Sequence, residues 1–146
     1  MAFSLQWNCR GYYANFEKLA RFLKEYVPAC VCLQELQLCF RNFCPPAGYN
    51  VALASAARGE NDRGGAGILL RHSVPYSSIP FRTTLHAVAV RIHLQSEFTL
   101  CSVYLAPSVP VTKSDLRELF EQLPMPVVLL GDFNILPFMG RFCHFS

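Results

Sequence analysis

Apolar positions recur along this chain with two different periods, and the switches between them divide it into strands and helices. A short strand is expected at residues 3–7, ended by the polar turn Asn8-Cys9-Arg10-Gly11. Phe16, Leu19, Ala20, Phe22, Leu23, Tyr26 and Val27 then return at helical spacing, with Asn15 placed to cap the helix and Pro28 to stop it. Residues 29–33 are an apolar run of strand length closed by Gln34-Glu35. Strand, helix and strand in close succession favour a right-handed crossover that joins a parallel pair.

Residues 40–48, with Pro45-Pro46 and Gly48, read as a loop, and residues 49–54 as a strand. Residues 55–65 are polar, carry Arg58 and Arg63, end in Gly64-Gly65 and form an exposed basic loop. Four strand candidates follow at 66–70, 76–80, 86–94 and 98–105. The third alternates His86, Val88, Val90, Ile92 and Leu94 on one face with Ala87, Ala89, Arg91 and His93 on the other, which suggests an antiparallel meander. Thr112 with Asp115 makes a capping box, and Leu116, Leu119, Phe120 and Leu123 are the buried stripe of a second helix that Pro124 ends. Residues 127–130 are a buried strand running into Gly131-Asp132-Phe133-Asn134, and residues 135–146 show no periodicity. No internal repeat and no interdomain linker interrupts the pattern.

Composition narrows the class. With 52% hydrophobic and 13% aromatic residues, the 146-residue chain is one domain's worth of sequence with a real core, which excludes a disordered tail or a coiled coil. Only 16% of residues are charged, and the mean hydropathy of +0.24 implies more apolar surface than a small domain hides, so a missing partner or further sequence is expected. The net charge of +3 favours a polyanionic partner too weakly to decide anything. Seven cysteines, an odd number, follow no signal peptide, and reduced thiols in an intracellular compartment are the expectation. No apolar stretch reaches the roughly 18 residues of a membrane span. A zinc site through Cys30-Val31-Cys32 or Cys39 to Cys44 is discounted: Cys30 and Cys32 share one face of a buried strand, and the intervals do not match a tetrahedral ligand set.

The polar residues that matter sit at the carboxyl ends of apolar strands: Asn8 after the first, Glu35 after the second, Asp132 with Asn134 after the last. In α/β architectures ligand sites are assembled at that edge, because strand ends are rigid and the loops beyond them are free to vary. Two carboxylates and two amides are a hard-oxygen set suited to Mg²⁺. Any one of them alone is more often a turn former or a helix cap. The combination carries the argument.

The segments Trp7-Asn8-Cys9-Arg10-Gly11, Leu33-Gln34-Glu35, Gly64-Gly65-Ala66-Gly67-Ile68-Leu69, Ser102-Val103-Tyr104-Leu105-Ala106-Pro107 and Leu130-Gly131-Asp132-Phe133-Asn134 come in an order that resembles the exonuclease-endonuclease-phosphatase superfamily, from Leu5 to Asn134. The W-N-x-R-G opening is most similar to the endonuclease domains of jockey-like and other non-LTR retrotransposons. This resemblance implies a four-layer α/β sandwich of the DNase I-like type, with residues 1–134 its amino-terminal part and 135–146 a divergent tail. It implies that Glu35 is the metal ligand, with Asn8 beside it helping to hold metal and scissile phosphate. Asp132 would position or activate the attacking water, Asn134 would orient phosphate, and the Tyr104 phenol would lie beside the scissile phosphate. The metal implied is Mg²⁺, with Mn²⁺ as a substitute, and the reaction is hydrolysis of a DNA phosphodiester that leaves a nick. Arg10, Arg58 and Arg63 would contact the nucleic acid. In relatives a reverse transcriptase domain shares the polypeptide, and a working enzyme would act in the nucleus.

The family pattern continues to a second Asn/Asp pair and a closing Ser-Asp-His that this sequence does not contain, so the carboxyl-terminal part of the domain is expected to be missing and the activity impaired. None of His72, His86, His93 and His144 follows a Ser-Asp. His86 and His93 read as structural or solvent-facing. The competing readings are a phosphomonoesterase or phospholipid-headgroup hydrolase of the same superfamily, and a non-catalytic relic that binds nucleic acid weakly.

Overall fold

A computed structural model describes residues 4–38, 43–54, 65–105, 110–133 and 142–145, with the backbone alone at residues 133 and 142–145. Its elements in chain order are β1 (Ser4–Asn8), α1 (Phe16–Tyr26), β2 (Cys30–Gln34), β3 (Tyr49–Leu53), β4 (Ala66–Arg71), β5 (Tyr76–Ser78), β6 (His86–His93), β7 (Glu97–Leu105), α2 (Lys113–Glu121), β8 (Val127–Phe133) and β9 (Phe142–Phe145). They form two sheets, one of order β1-β2-β4-β3 and one of order β5-β6-β7-β8-β9. The β1–β2 and β7–β8 pairs are parallel, each joined through a helix, and the remaining pairs are antiparallel. The expected crossover pair and the β5-β6-β7 meander are both present.

The sheets face each other across a core of Cys30, Cys32, Ile68, Leu70, Val88, Val90, Ile92, Leu100 and Leu130. Outside the first sheet, Leu19 and Leu23 of α1 close over Val31, Leu33 and Leu69. Outside the second, Leu119 of α2 and the following Leu123 close over Ala87, Ala89, Cys101 and Val103. The result is helix, sheet, sheet, helix: a four-layer sandwich in which strand alternation supplies one core between the sheets and one beneath each helix. Cys30 and Cys32 do share the inner face and are free thiols, and burial pushes Cys30 up to about 11. They pack as small hydrophobes.

Several local expectations need correction. Asn15 stands at the N-cap of α1 but makes no side-chain cap bond; its amide instead donates to the carbonyls of Cys9 and Gly11, so it braces the turn that follows β1. Tyr26 and Val27 lie outside the buried stripe of α1 and are exposed. Leu94 is exposed beyond the end of β6. Strand β8 continues through Gly131 and Asp132 to Phe133, where the polar residues read as its end. The tail, which carries no periodic signal, supplies backbone for β9, antiparallel to β8. The α2 cap is as expected, with Thr112 and Asp115 bonding reciprocally.

Candidate active site

The two parallel pairs bring β1, β2, β7 and β8 to the same end of the sandwich, and their last residues meet there. Register sets the meeting: Asn8 lies opposite Gln34 in the first sheet, and Tyr104 opposite Asp132 in the second. Asn8 Nδ2 donates to Glu35 Oε1 at 2.9 Å and to Asp132 Oδ2 at 2.6 Å, so one amide joins carboxylates from both sheets. Its Oδ1 accepts the backbone N–H of Arg10 at 3.1 Å, which fixes the amide with its NH₂ group toward the acids.

Backbone conformation turns Glu35 into this position. Glu35 has φ 52°, in the left-handed region that is uncommon for a side-chain-bearing residue. The turn is held from the neighbouring loop by Cys9 N to Gln34 O, Gly11 N to Glu35 O and Tyr12 N to Leu36 O, each 2.9 Å. Gly11 has φ 103°, and a Cβ there would add strain beside Gln37 and Ala14; the glycine of the W-N-x-R-G segment is a requirement of the turn. At Gly67 a Cβ would come within 3.1 Å of Leu36 Cδ1, so its absence lets the segment after Glu35 lie down on β4.

Beneath the acids the sheets are tied by a buried polar bridge. Gln34 Nε2 donates to Ser102 Oγ at 3.0 Å, Ser102 Oγ donates to Leu33 O at 3.1 Å, and Gln6 Nε2 donates to Gln34 Oε1 at 2.6 Å. Gln34 and Ser102 are fully buried, and every bond is satisfied within the group.

Tyr104 is buried next to this bridge. Its phenol is pushed up to about 12, first by burial, then by the charge of Glu35, by hydrogen bonding with it, and by the charge of Asp132. The hydroxyl therefore stays protonated and can donate. Cys9 is buried beside Glu35 and is also pushed up to about 12, chiefly by burial, which leaves it a thiol without nucleophilic character.

His86, read from the sequence as structural or solvent-facing, lies at the site end of β6. It pairs across the ladder with Tyr104, their rings 6.1 Å apart in an edge-to-face arrangement, and its Nδ1 is covered and unbonded. Strand alternation gave its inward face, but only the register of β6 on β7 puts it at the site end. His93 lies at the opposite end of the strand, half-buried, between Ser77 and Glu97. Arg10 is exposed at the turn after β1, while Asn134, Arg58, Arg63 and Cys39 lie outside the described residues.

Among the described residues no group of three or more His, Cys, Asp and Glu side chains is placed to hold a metal ion. What the site offers is two carboxylates from two sheets, joined by the NH₂ group of one amide. That donor set fits Mg²⁺, which takes one or two carboxylates and keeps water and phosphate oxygens for its remaining positions. It does not fit zinc. Among the described residues no helix is long and apolar enough to cross a membrane.

The two-sheet α/β sandwich is of the DNase I-like type, and this chain belongs to the Endonuclease/Exonuclease/phosphatase family, whose pattern matches residues 5–146. The match runs past Asn134 to the last residue. Its sequence is 26% identical over 131 residues to the RNA-directed DNA polymerase from mobile element jockey of Drosophila melanogaster, covering 88% of this chain and 14% of that protein. Its fold is similar to the endonuclease domain of TRAS1, a telomere-specific non-LTR retrotransposon, with TM-score 0.72 at 23% identity over 92% of this chain and 61% of that one. It is also similar to an AP endonuclease from Archaeoglobus fulgidus, with TM-score 0.62 at 19% identity over 94% of this chain and 59% of that one. The chain thus spans about three fifths of these solved domains and a small part of the jockey protein.

Proposed function

We propose that this chain is the amino-terminal part of a Mg²⁺-dependent DNA endonuclease of the retrotransposon kind, which nicks chromosomal DNA in the nucleus and works beside a reverse transcriptase. The observation that carries the proposal is the joining of Glu35 and Asp132, from separate sheets, by the single amide of Asn8. Glu35 would hold the cation, and Mn²⁺ would substitute. When bound, the cation supplies neutralisation of the charge that develops on the phosphate and on the leaving oxygen. Asp132 accepts a proton from, and aims, the water that attacks in line. Asn8 holds the two acids at their spacing and keeps Asp132 from swinging away. Tyr104, kept protonated, presents its hydroxyl to the scissile phosphate, and Asn134 orients the same group. Arg10, Arg58 and Arg63 supply positive charge for the strand on either side.

The test is nicking of supercoiled plasmid in Mg²⁺, in Mn²⁺ and in EDTA, by the chain and by its Glu35→Ala variant, with a phosphomonoester run in parallel. Metal-dependent nicks lost with Glu35 support the endonuclease. Turnover of the monoester alone would shift the assignment to a phosphatase of the same family. DNA retention without any cleavage would make it a binding module.

A further inference from the structure

On the outer face of the second sheet, at the end away from the acids, three neighbouring strands line up a hydroxyl, an imidazole and a carboxylate. Ser77 Oγ lies 2.8 Å from His93 Nε2, and His93 Nδ1 lies 3.1 Å from Glu97 Oε1. Register makes the row: His93 of β6 is opposite Glu97 of β7, and Ser77 of β5 is opposite Arg91, two residues before His93 on the same face. His86 and His93 stand at opposite ends of the eight-residue β6, roughly 23 Å apart, so this group is separate from the strand-end acids.

The chemistry of the three groups orders their protons. A carboxylate oxygen only accepts, so the contact with Glu97 requires the N–H at Nδ1. In the neutral ring Nε2 is then a bare acceptor, and the Ser77 hydroxyl donates to it. Bonded in that order, a serine is activated by an adjacent base, and the base is oriented by a third group. Glu97 is itself held: its Oε2 is 4.0 Å from Arg91 Nε, and Arg91 Nη1 donates to Thr99 Oγ1 at 3.1 Å and to Pro124 O at 3.2 Å. A surface pair as exposed as His93 and Glu97 adds little to stability, so folding does not account for the alignment.

A donor for a developing oxyanion lies beside the serine. The bonds from His93 N to Pro75 O and from Ile79 N to Ala89 O set the alternation of the β5–β6 ladder. The Ser78 N–H therefore points away from β6, and β5 is the edge of its sheet. In α/β-hydrolases the main-chain N–H of the residue after the nucleophile is one of the oxyanion donors.

We propose that Ser77, His93 and Glu97 form a second nucleophilic site, which hydrolyses small carboxylic esters. Ser77 Oγ attacks the carbonyl carbon as its proton passes to His93 Nε2, and the carbonyl oxygen takes the negative charge beside the Ser78 N–H. Collapse breaks the ester bond, and the leaving alcohol takes the proton from Nε2. Water that gives its proton to the same nitrogen then attacks the acyl-serine, releases the carboxylic acid and restores the hydroxyl. Glu97 touches no reacting atom; it is a positioning residue that holds the tautomer with hydrogen on Nδ1. Ser77 and Glu97 are exposed, so the substrate meets an open face, and short acyl groups are the class that fits.

The 146-residue chain is treated with diisopropyl fluorophosphate in EDTA, which keeps the assay apart from the metal-dependent reaction proposed for the acids. The Oγ–P bond forms as P–F breaks, the proton leaves through His93, and the adduct is mapped by mass spectrometry. Turnover of p-nitrophenyl acetate is followed with thiols blocked by N-ethylmaleimide, since an exposed thiol such as Cys44 reacts with this ester by itself. The expected result is an adduct on Ser77 and a turnover that falls about 10²-fold or more in Ser77→Ala and His93→Ala, the usual worth of a general base. His72→Ala, which removes an exposed imidazole elsewhere, leaves both readouts unchanged. In Glu97→Gln the inactivation rate constant falls while the half-saturating inhibitor concentration is kept, a split that a merely bracing residue does not produce. Labelling of the wild type needs no variant, so the test stands even where a variant fails to fold. A wild-type chain without an adduct on Ser77, or a Ser77→Ala variant that hydrolyses the ester as fast as the wild type, overturns the proposal and leaves the nuclease reading standing.

Discussion

Asn8 and Asp132 lie 124 residues apart in the chain and are joined by a 2.6 Å hydrogen bond that crosses from the first sheet to the second. The same nitrogen holds Glu35, so replacing Asn8 removes the shared donor of two acids at once. Asn8→Ala is expected to lower the free energy of unfolding by about 2 kcal/mol, because hydrogen bonds to charged groups are worth more than neutral ones. Urea unfolding checks this, and an unchanged midpoint and slope would show that the bridge does not hold the sheets.

The buried bridge beneath the site predicts a second loss. In Ser102→Ala the Gln34 amide keeps its burial and loses its acceptor, and Leu33 O loses a donor. The expected cost is about 1–3 kcal/mol in the same urea experiment, the penalty for an unsatisfied buried polar group. A variant as stable as the wild type would mean that Gln34 finds another partner.

Tyr104 predicts behaviour at high pH. Its folded pKa is about 12 against an ordinary value of 10, so the folded state keeps a proton that the unfolded chain gives up first. The contribution to stability is complete below pH 10 and is lost as pH rises toward 12. Tyr104→Phe removes this dependence, so its stability should fall less steeply across that window. Unfolding at a series of pH values compares the slopes, and equal slopes would contradict the burial of the phenol among acids.

Much of this architecture is legible in the sequence, and the exceptions have physical reasons. Periodicity and apolar runs of strand length placed both helices and eight of the strands, because the helices bury one stripe and inner strands such as β2 bury both faces. The convergence of Asn8, Glu35 and Asp132 was legible because each follows an apolar run. Asn15 misled because an Asn before a helix is a good cap by itself, yet here the loop carbonyls of Cys9 and Gly11 compete for its amide. The position of His86 beside Tyr104 was not legible because alternation fixes a face and says nothing about register. Strand β9 was invisible because its pairing with β8, and no alternation of its own, defines it.

The chain spans 61% of the TRAS1 endonuclease domain. Joining the remaining part of a complete relative's domain to this chain is expected to raise plasmid nicking by about 10²-fold or more, the usual worth of a missing transition-state contact. The comparison is between the chain and the chimera in Mg²⁺ at equal concentration. Equal rates would show that residues 1–146 already hold everything the chemistry requires.

The central claim is that Glu35, held beside Asp132 by the amide of Asn8, binds the cation. Titration of Mn²⁺ into the 146-residue chain, followed by calorimetry, measures this without any demand on turnover. The account predicts a single site in the wild type, competed by Mg²⁺ and abolished in Glu35→Gln while the melting temperature is kept. A wild-type chain that takes up no Mn²⁺, or a Glu35→Gln variant that binds it equally well, would contradict it.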